Sequence, residues 1–157
     1  MFGILDAWSL RFIKTKILIY TDGAARGNPG LAGAGAVIKN EAGQTIAFLK
    51  KFLGENKTNN EAEYLGVLLA LDWLSQNRKK GKEVQFFFDS QLLTNQLSGN
   101  WKIKAQNLKP LVAKIREGIL ALDKKVTFHH LSREKNSLAD LLANQAIDER
   151  KSKKNSF

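Results

Sequence analysis

At 157 residues, with 43% hydrophobic and 25% charged side chains, the chain has the size and composition of one soluble domain with an apolar core. It contains no cysteine, which excludes disulfides, thiolate metal sites and cysteine nucleophiles and is typical of a protein of the reducing cytoplasm. The net charge of +10 indicates a polyanionic partner, nucleic acid before an anionic membrane, with a basic surface of no specific partner as the alternative.

The first 15 residues form an apolar leader. Leu5, Trp8 and Phe12 lie at helical spacing, so residues 1–15 are either a short amphipathic helix that docks on the domain or on a partner, or a mobile extension. No apolar run reaches the roughly 18 to 20 residues that a transmembrane helix needs. We therefore expect no membrane-spanning segment. We also expect a monomeric protein, with a dimeric or membrane-tethered form through residues 2–13 as the alternative.

Three strands are predicted to follow the leader. Residues 17–20 form a short apolar run that leads to Asp22 and a turn rich in Gly, Asn and Pro. Residues 33–39 and 45–52 have strand-like composition and are joined by a short connection. Such a connection predicts an antiparallel hairpin.

The hydrophobic period then changes from that of a strand to that of a helix. Apolar residues recur at helical spacing from residue 60 to about residue 77, which predicts a helix buried against the sheet. Residues 84–88 form an apolar run suited to a buried central strand, and this run also ends on an aspartate, Asp89. The remaining predicted elements are a short helix at 90–97, a helix at 108–122 with Pro110 in its first turn, a strand at 126–130 and a helix at 137–149.

This order of elements predicts an α/β fold. We expect a five-stranded mixed sheet whose first three strands are antiparallel, with helices packed on both faces.

Four carboxylates lie where predicted strands end or predicted helices begin. Asp22 and Asp89 follow strands, whereas Glu63 and Asp140 lie near the starts of two helices. Strand ends and helix starts that meet at one edge of a sheet are the usual position of sites in α/β folds. A cluster of oxygen ligands suits Mg²⁺ or Mn²⁺ better than zinc.

Each of these carboxylates also has a structural interpretation. Asp22 could simply form a turn, and Asp89 could cap the helix that follows it. Asp140 lies three residues after Ser137, at the spacing of a capping box. Glu61 competes with Glu63 for a place in the site, although the two side chains point to different sides of the helix.

With their flanking loops, these residues make the chain resemble type 1 ribonuclease H over nearly all of residues 16–150. The matching segments are residues 21–23, 27–30, 58–63, 88–91, 130–140 and 142–144. The Asp-Glu-Asp-Asp set of that family falls on Asp22, Glu63, Asp89 and Asp140.

The resemblance implies a ribonuclease H-like catalytic domain at 16–150, followed by a basic tail at 151–157. Its expected activity is hydrolysis of the RNA strand of an RNA–DNA hybrid, giving 5′-phosphate and 3′-hydroxyl ends, with double-stranded RNA as a further candidate substrate. Two Mg²⁺ ions per site are implied, with Mn²⁺ as a substitute. Asp22 would bridge the ions, Asp140 would hold the ion beside the attacking water, and the other two carboxylates would hold the ion beside the leaving group.

The resemblance also implies further site residues. His130 lies ten residues before Asp140 and matches a family histidine that serves proton transfer or product release. Of His129 and His130, one is expected to pack and the other to face solvent. The positions matched to recognition of 2′-hydroxyls, phosphates and the DNA strand are Gly23, Ala25, Asn28, Lys57, Thr58, Asn59, Asn60, Ser90, Gln91, Trp101 and Lys102. Asn28 has turn formation as an equal alternative.

The chain departs from the better-known members in one segment. Their long basic protrusion is reduced to roughly residues 99–107, so the expected protein is a short form without that protrusion and without a hybrid-binding domain. Two alternatives remain, a non-cleaving hybrid-binding module and another nuclease of the same superfamily. The four retained carboxylates argue against the first, and the loop at 27–30 with the Asn59-Asn60 pair argues against the second.

Overall fold

The computed structural model describes residues 15–156. Apart from Thr15, the predicted leader lies outside the described residues. Both interpretations of Leu5, Trp8 and Phe12, and the alternative dimeric or membrane-tethered form through residues 2–13, concern residues outside the described range.

Five strands and four α-helices make up the described part of the chain. The strands are β1 (Lys16–Gly27), β2 (Gly30–Asn40), β3 (Thr45–Lys57), β4 (Glu83–Phe88) and β5 (Lys125–His130). The helices are α1 (Asn59–Gln76), α2 (Gln91–Leu97), α3 (Lys109–Leu122) and α4 (Ser137–Lys154), with a 3₁₀-helix at Arg133–Asn136 before α4.

The strands form one mixed sheet in the order β3-β2-β1-β4-β5. Strand β2 pairs antiparallel with both β1 and β3, whereas β4 pairs parallel with both β1 and β5. The predicted fold class, including the antiparallel first three strands, is confirmed.

Helices cover both faces of this sheet. On one face, the buried side chains of Ile19, Ile38 and Phe86 belong to the main apolar core together with residues of α1 and α3. On the other face, β2 approaches α4 so closely that a Cβ atom on Gly35 would overlap the backbone of Ala139. Glycine is required there because any side chain would push the helix off the sheet.

Strand β1 is longer than its sequence predicted. Asp22 was expected to follow a strand at 17–20, but β1 continues to Gly27 because its pairing with β2 extends to the Gly27–Gly30 pair. The parallel pairing with β4, in contrast, stops at Tyr20 and Phe87. Asp22 therefore lies within β1, just past the end of its contact with β4.

Helix α4 is also longer than predicted. It was expected to end at residue 149, with a solvated tail after it, but it runs to Lys154. Lys154 forms an ion pair with Glu55 of β3, and the guanidinium of Arg150 lies 5.5 Å from the ring centroid of Phe52. These contacts with β3 hold the last turns of the helix against the sheet.

Within residues 15–156, no helix combines the length and the apolar content that crossing a membrane requires.

Candidate active site

Three carboxylates from three elements meet at one edge of the sheet. Asp22 of β1, Glu63 of α1 and Asp89, which directly follows β4, offer oxygen atoms that all lie within 4.8 Å of one another. The parallel β1–β4 pairing produces this arrangement, because Asp22 and Asp89 each follow the last pair, Tyr20 with Phe87, by two residues. The expectation that these three residues share one site agrees with this geometry.

Asp140, in the first turn of α4, lies on the same cavity but outside the tight group of three. The cavity has a volume of about 350 Å³. Its lining consists of Asp22, Gly23, Ala24, Ala25, Asn59, Glu63, Asp89, Arg133 and Asp140. Asp140 does not act in the capping box that its spacing from Ser137 suggested, since Asn136 is the N-cap and makes no side-chain cap bond.

Burial and mutual repulsion make the negative charge of this cluster unfavourable. Burial, followed by repulsion from Asp89, raises the pKa of Asp22 to about 8, although the backbone N–H of Gly23 donates to its carboxylate at 2.9 Å. Asp140 and Glu63 add to that increase. Burial likewise raises the pKa of Glu63 to about 7, against a hydrogen bond with Ser90 that lowers it. A cation in the cavity would relieve this repulsion.

The donor set of the cluster fits a hard divalent cation. The ligand atoms offered by Asp22, Glu63 and Asp89 are all carboxylate oxygens, with neither sulfur nor imidazole among them. Hard cations with several oxygen ligands are the usual occupants of such sites.

Arg133 is a site residue that the sequence analysis missed. It comes from the 3₁₀-helix, lines the acidic cavity and places its Nε atom 3.6 Å from Oδ2 of Asp89. Its charge also lowers the pKa of Glu63. The available signal was its position inside the 130–140 segment, seven residues before Asp140.

The two histidines divide as expected. His129 is half-buried, stacks on Phe87 and hydrogen-bonds Thr127. His130 is exposed, and its Nε2 lies 3.2 Å from the backbone oxygen of Asp89. His130 thus lies next to Asp89 of the carboxylate cluster. Among the described residues, it is not one of those that line the cavity.

Two asparagines bind the end of β1 and the turn after it to the start of α1. The side-chain oxygen of Asn59 accepts the backbone N–H of Ala25 at 3.2 Å, and the backbone N–H of Asn59 donates to the side-chain oxygen of Asn28 at 3.1 Å. This arrangement makes Asn28 part of an ordered loop beside the cavity. Its turn role and a binding role are therefore compatible.

The structure also separates Glu61 from Glu63. Thr58 and Glu61 form a complete capping box at the start of α1, and the hydrogen bond from the Thr58 backbone lowers the pKa of Glu61. Glu61 therefore stabilises the helix start, and Glu63 alone of the two lines the cavity.

Ser90 has the capping role that was considered for Asp89. Its hydroxyl oxygen accepts the backbone N–H of Leu93 at 3.1 Å as the N-cap of α2, which leaves the Asp89 carboxylate to the cluster. Of the other predicted binding residues, Gln91 and Asn60 are exposed and Lys57 is half-buried.

Trp101 and Lys102 lie apart from the acidic cavity, in the connection between α2 and α3. Trp101 is 49% exposed. Lys102 lines a separate groove of about 420 Å³ together with Lys109 and Arg116. The backbone oxygen of Lys102 accepts a hydrogen bond from Gln96, so the connection is anchored to α2.

Comparison with known proteins identifies relatives along most of the chain. The Reverse transcriptase-like family matches residues 20–146. The Ribonuclease H of Ruthia magnifica is 35% identical over 149 residues, covering 85% of this chain and 96% of that protein. The Bifunctional protein Rv2228c of Mycobacterium tuberculosis is 35% identical over 133 residues, and this chain spans 36% of its length.

Solved structures show the same similarity. LC11-RNase H1 in complex with an RNA/DNA hybrid has 41% sequence identity and a TM-score of 0.80, with 85% of this chain and 98% of that chain covered. RNase H1 from the archaeon Halobacterium salinarum has 33% identity and a TM-score of 0.79, with 85% and 98% covered. The fold, the carboxylate cluster and these relatives show that the chain belongs to the type 1 ribonuclease H family.

Proposed function

We propose that this chain is an endoribonuclease that hydrolyses the RNA strand of RNA–DNA hybrids and leaves 5′-phosphate and 3′-hydroxyl ends. The observation that carries the proposal is the group formed by Asp22, Glu63 and Asp89 within 4.8 Å, with Asp140 on the same cavity. The net charge of +10 fits a nucleic-acid substrate. The substrate class is supported by relatives named ribonuclease H and by the similar structure that contains an RNA/DNA hybrid.

Asp22, Glu63, Asp89 and Asp140 would hold two Mg²⁺ ions in the presence of substrate, with Mn²⁺ as a substitute. Such ions supply charge neutralisation at the scissile phosphate and lower the pKa of water. A central position for Asp22 is supported by the fact that all three other carboxylates raise its pKa.

The residues around the cavity would recognise the hybrid. The backbone at Gly23 and Ala25, which lines the cavity, and polar side chains of the turn after β1 and of the starts of α1 and α2 suit the 2′-hydroxyls of a shallow minor groove. Those side chains are Asn28, Asn59, Asn60, Ser90 and Gln91. Lys57 and Thr58 would contact a phosphate of the DNA strand, Trp101 and Lys102 would form a platform for its backbone, and His130 would assist proton transfer or product release.

We also propose the bounds of the catalytic domain, the oligomeric state and the cellular location. Residues 16–150 would form the catalytic domain of a monomeric protein. A cytoplasmic location is supported by the absence of cysteine from the sequence.

A strand-labelled cleavage assay tests the activity. RNA–DNA hybrid, double-stranded RNA and double-stranded DNA are each incubated with Mg²⁺ or Mn²⁺, and the expected result is cleavage of the RNA strand of the hybrid. Asp22→Asn is expected to lower the rate by about 10²- to 10³-fold. The matched control is Asp72→Asn, which changes an exposed carboxylate of α1 and leaves the rate unchanged.

Three outcomes would contradict the proposal. Wild-type activity in Asp22→Asn would exclude the carboxylate site. Tight binding of the hybrid without cleavage at any concentration of divalent cation would instead indicate a non-cleaving binding module. Cleavage confined to double-stranded DNA would indicate another nuclease of the same superfamily.

A further inference from the structure

A chain of hydrogen bonds connects Asp140 to the end of β1. Asn144 lies one turn after Asp140 in α4, and its side-chain amide donates to Oδ1 of Asp140 at 3.2 Å and to the backbone oxygen of Asp140 at 3.0 Å. The other three carboxylates have partners of their own in Gly23, Ser90 and Arg133. Asn144 is the equivalent partner of Asp140. Asp140 itself is exposed and lies outside the tight group of three carboxylates.

Arg26 holds the amide of Asn144 in this orientation. Its Nη2 donates to the side-chain oxygen of Asn144 at 3.3 Å, and its Nη1 pairs with Asp148 one turn further along α4. Because the amide oxygen faces a guanidinium, which can only donate, the amide nitrogen must face Asp140. The rigid guanidinium fork thus links the end of β1 to both turns of the helix.

We infer that Asn144 and Arg26 are positioning residues for the fourth carboxylate of the site. Asn144 engages Oδ1 of Asp140 and leaves Oδ2 for a cation, and Arg26 fixes the amide that does so. This inference rests on the proposed function, in which Asp140 is a metal ligand. Partners that orient a ligand in this way typically change metal affinity or activity by about 10- to 100-fold when they are removed.

The chain offers matched controls for both residues. The side-chain amide of Asn95 in α2 donates to the backbone oxygen of Gln91, four residues before it, at 2.8 Å. This is the bond that Asn144 makes to the backbone oxygen of Asp140, but the described structure shows no hydrogen bond from Asn95 to a carboxylate. Lys50 joins β3 to Glu149 of α4 by an ion pair, as Arg26 joins β1 to Asp148. Asn95→Ala therefore removes an equivalent side-chain bond within a helix, and Lys50→Ala removes an equivalent ion pair between a strand and α4. Neither change removes a contact with Asp140.

The experiment measures metal binding without substrate. Asn144→Ala, Arg26→Ala, the double variant and the two controls are titrated with Mn²⁺ by calorimetry, and the rise in Tm on addition of Mg²⁺ is recorded for each. Asn144→Ala is expected to weaken Mn²⁺ binding by about 10- to 100-fold and to shrink the Mg²⁺-dependent rise in Tm. Arg26→Ala is expected to show a smaller effect of the same sign, since it acts only through Asn144.

Two further readouts separate positioning from general stability. The Mg²⁺ concentration for half-maximal cleavage should rise in Asn144→Ala, while kcat at saturating Mg²⁺ stays within about threefold of wild type. The double variant should bind Mn²⁺ no more weakly than Asn144→Ala alone, because both changes break one chain of contacts. Arg26→Lys, which keeps the charge without the fork, should lie between wild type and Arg26→Ala.

Wild-type Mn²⁺ affinity in Asn144→Ala would overturn the inference, and so would equal losses in Asn144→Ala and Asn95→Ala. Strictly additive losses in the double variant would overturn the role given to Arg26. Failure of the proposed function is recognised separately, because wild-type protein would then cleave no hybrid while the calorimetric comparison between variants still gives its result.

Discussion

Gly23 of β1 lies directly against the backbone of Ala62 in α1, with no side chain between the strand and the helix. A Cβ atom at Gly23 would overlap the carbonyl group of Ala62 and the nitrogen of Glu63. This close approach is what brings Glu63 beside Asp22, which directly precedes the glycine. The geometry of the acidic cluster therefore depends on the absence of a side chain at position 23.

Gly23→Ala is expected to damage both stability and activity. The added methyl group forces α1 away from β1, which costs about 1–3 kcal/mol of the free energy of unfolding. The same movement displaces Glu63 from Asp22, and a displacement of about 1 Å lowers catalysis by about 100-fold. Urea unfolding and a hybrid-cleavage assay on the same preparation measure the two effects.

Gly43→Ala serves as the control for that change. Gly43 lies in the turn between β2 and β3 with φ of +85°, and no atom lies within 4 Å of the position that an added methyl group would take. The substitution should cost about 1 kcal/mol for backbone strain and leave cleavage unchanged. If Gly23→Ala behaved like this control, close packing would not be what sets the Asp22–Glu63 distance.

The raised pKa values of Asp22 and Glu63 predict an unusual pH dependence of stability in the metal-free protein. Their folded pKa values are about 8 and about 7, against ordinary values of 3.8 and 4.5. Between these limits the folded protein keeps protons that the unfolded chain releases. Unfolding is therefore favoured by rising pH, and the contribution of these groups to stability falls as pH rises from about 4 to about 8.

Asp22→Asn isolates this effect, because the amide keeps the shape of the side chain but cannot ionise. The variant should be more stable than wild type at pH 8 in EDTA, by about 1–3 kcal/mol, and the advantage should shrink towards pH 5. Thermal unfolding at several pH values, with EDTA or with Mg²⁺, measures the difference. A wild-type protein that stays as stable as the variant at pH 8 in EDTA would contradict the electrostatic account.

The elements and the four carboxylates could be predicted from the sequence because their signals are local. A helical or strand-like period marks each element within a few residues, and each carboxylate lies in a short recognisable segment. The length of β1 could not be read in this way, since Ala24, Ala25 and the flanking glycines have the composition of a loop. Only pairing with β2 makes this stretch a strand.

Residues whose role depends on distant partners also escaped prediction. The ion pair of Lys154 with Glu55 joins residues 99 positions apart, so the final lysines had the composition of a solvated tail. Arg133 and Asn144 likewise acquire their roles only where the fold places them beside carboxylates. Composition carries no information about contacts that join distant parts of the chain, such as that of Arg133 with Asp89 and that of Asn144 with Arg26.

His130→Ala is expected to lower the rate of single-turnover cleavage by about 10- to 100-fold without a large loss of stability. The side chain is exposed and contacts only the backbone oxygen of Asp89 among the bonds that the described structure shows. His129→Ala is the matched control, because it removes the ring stacked on Phe87. His129→Ala should lower the free energy of unfolding by about 1 kcal/mol and change the cleavage rate less than His130→Ala does. The reverse pattern would assign the site role to His129.

Trp101→Ala tests whether the short connection between α2 and α3 binds the substrate in place of a longer basic element. An aromatic face that stacks on a nucleic acid contributes about 1–3 kcal/mol, so KM for the hybrid should rise by about 5- to 100-fold while kcat changes little. Leu120→Ala is the control, since Leu120 is an apolar residue of α3 that is 80% exposed and has no proposed contact with the substrate. Equal KM values for Trp101→Ala and wild type would show that the hybrid is held without this residue, and the groove lined by Lys109 and Arg116 would then be the next surface to test.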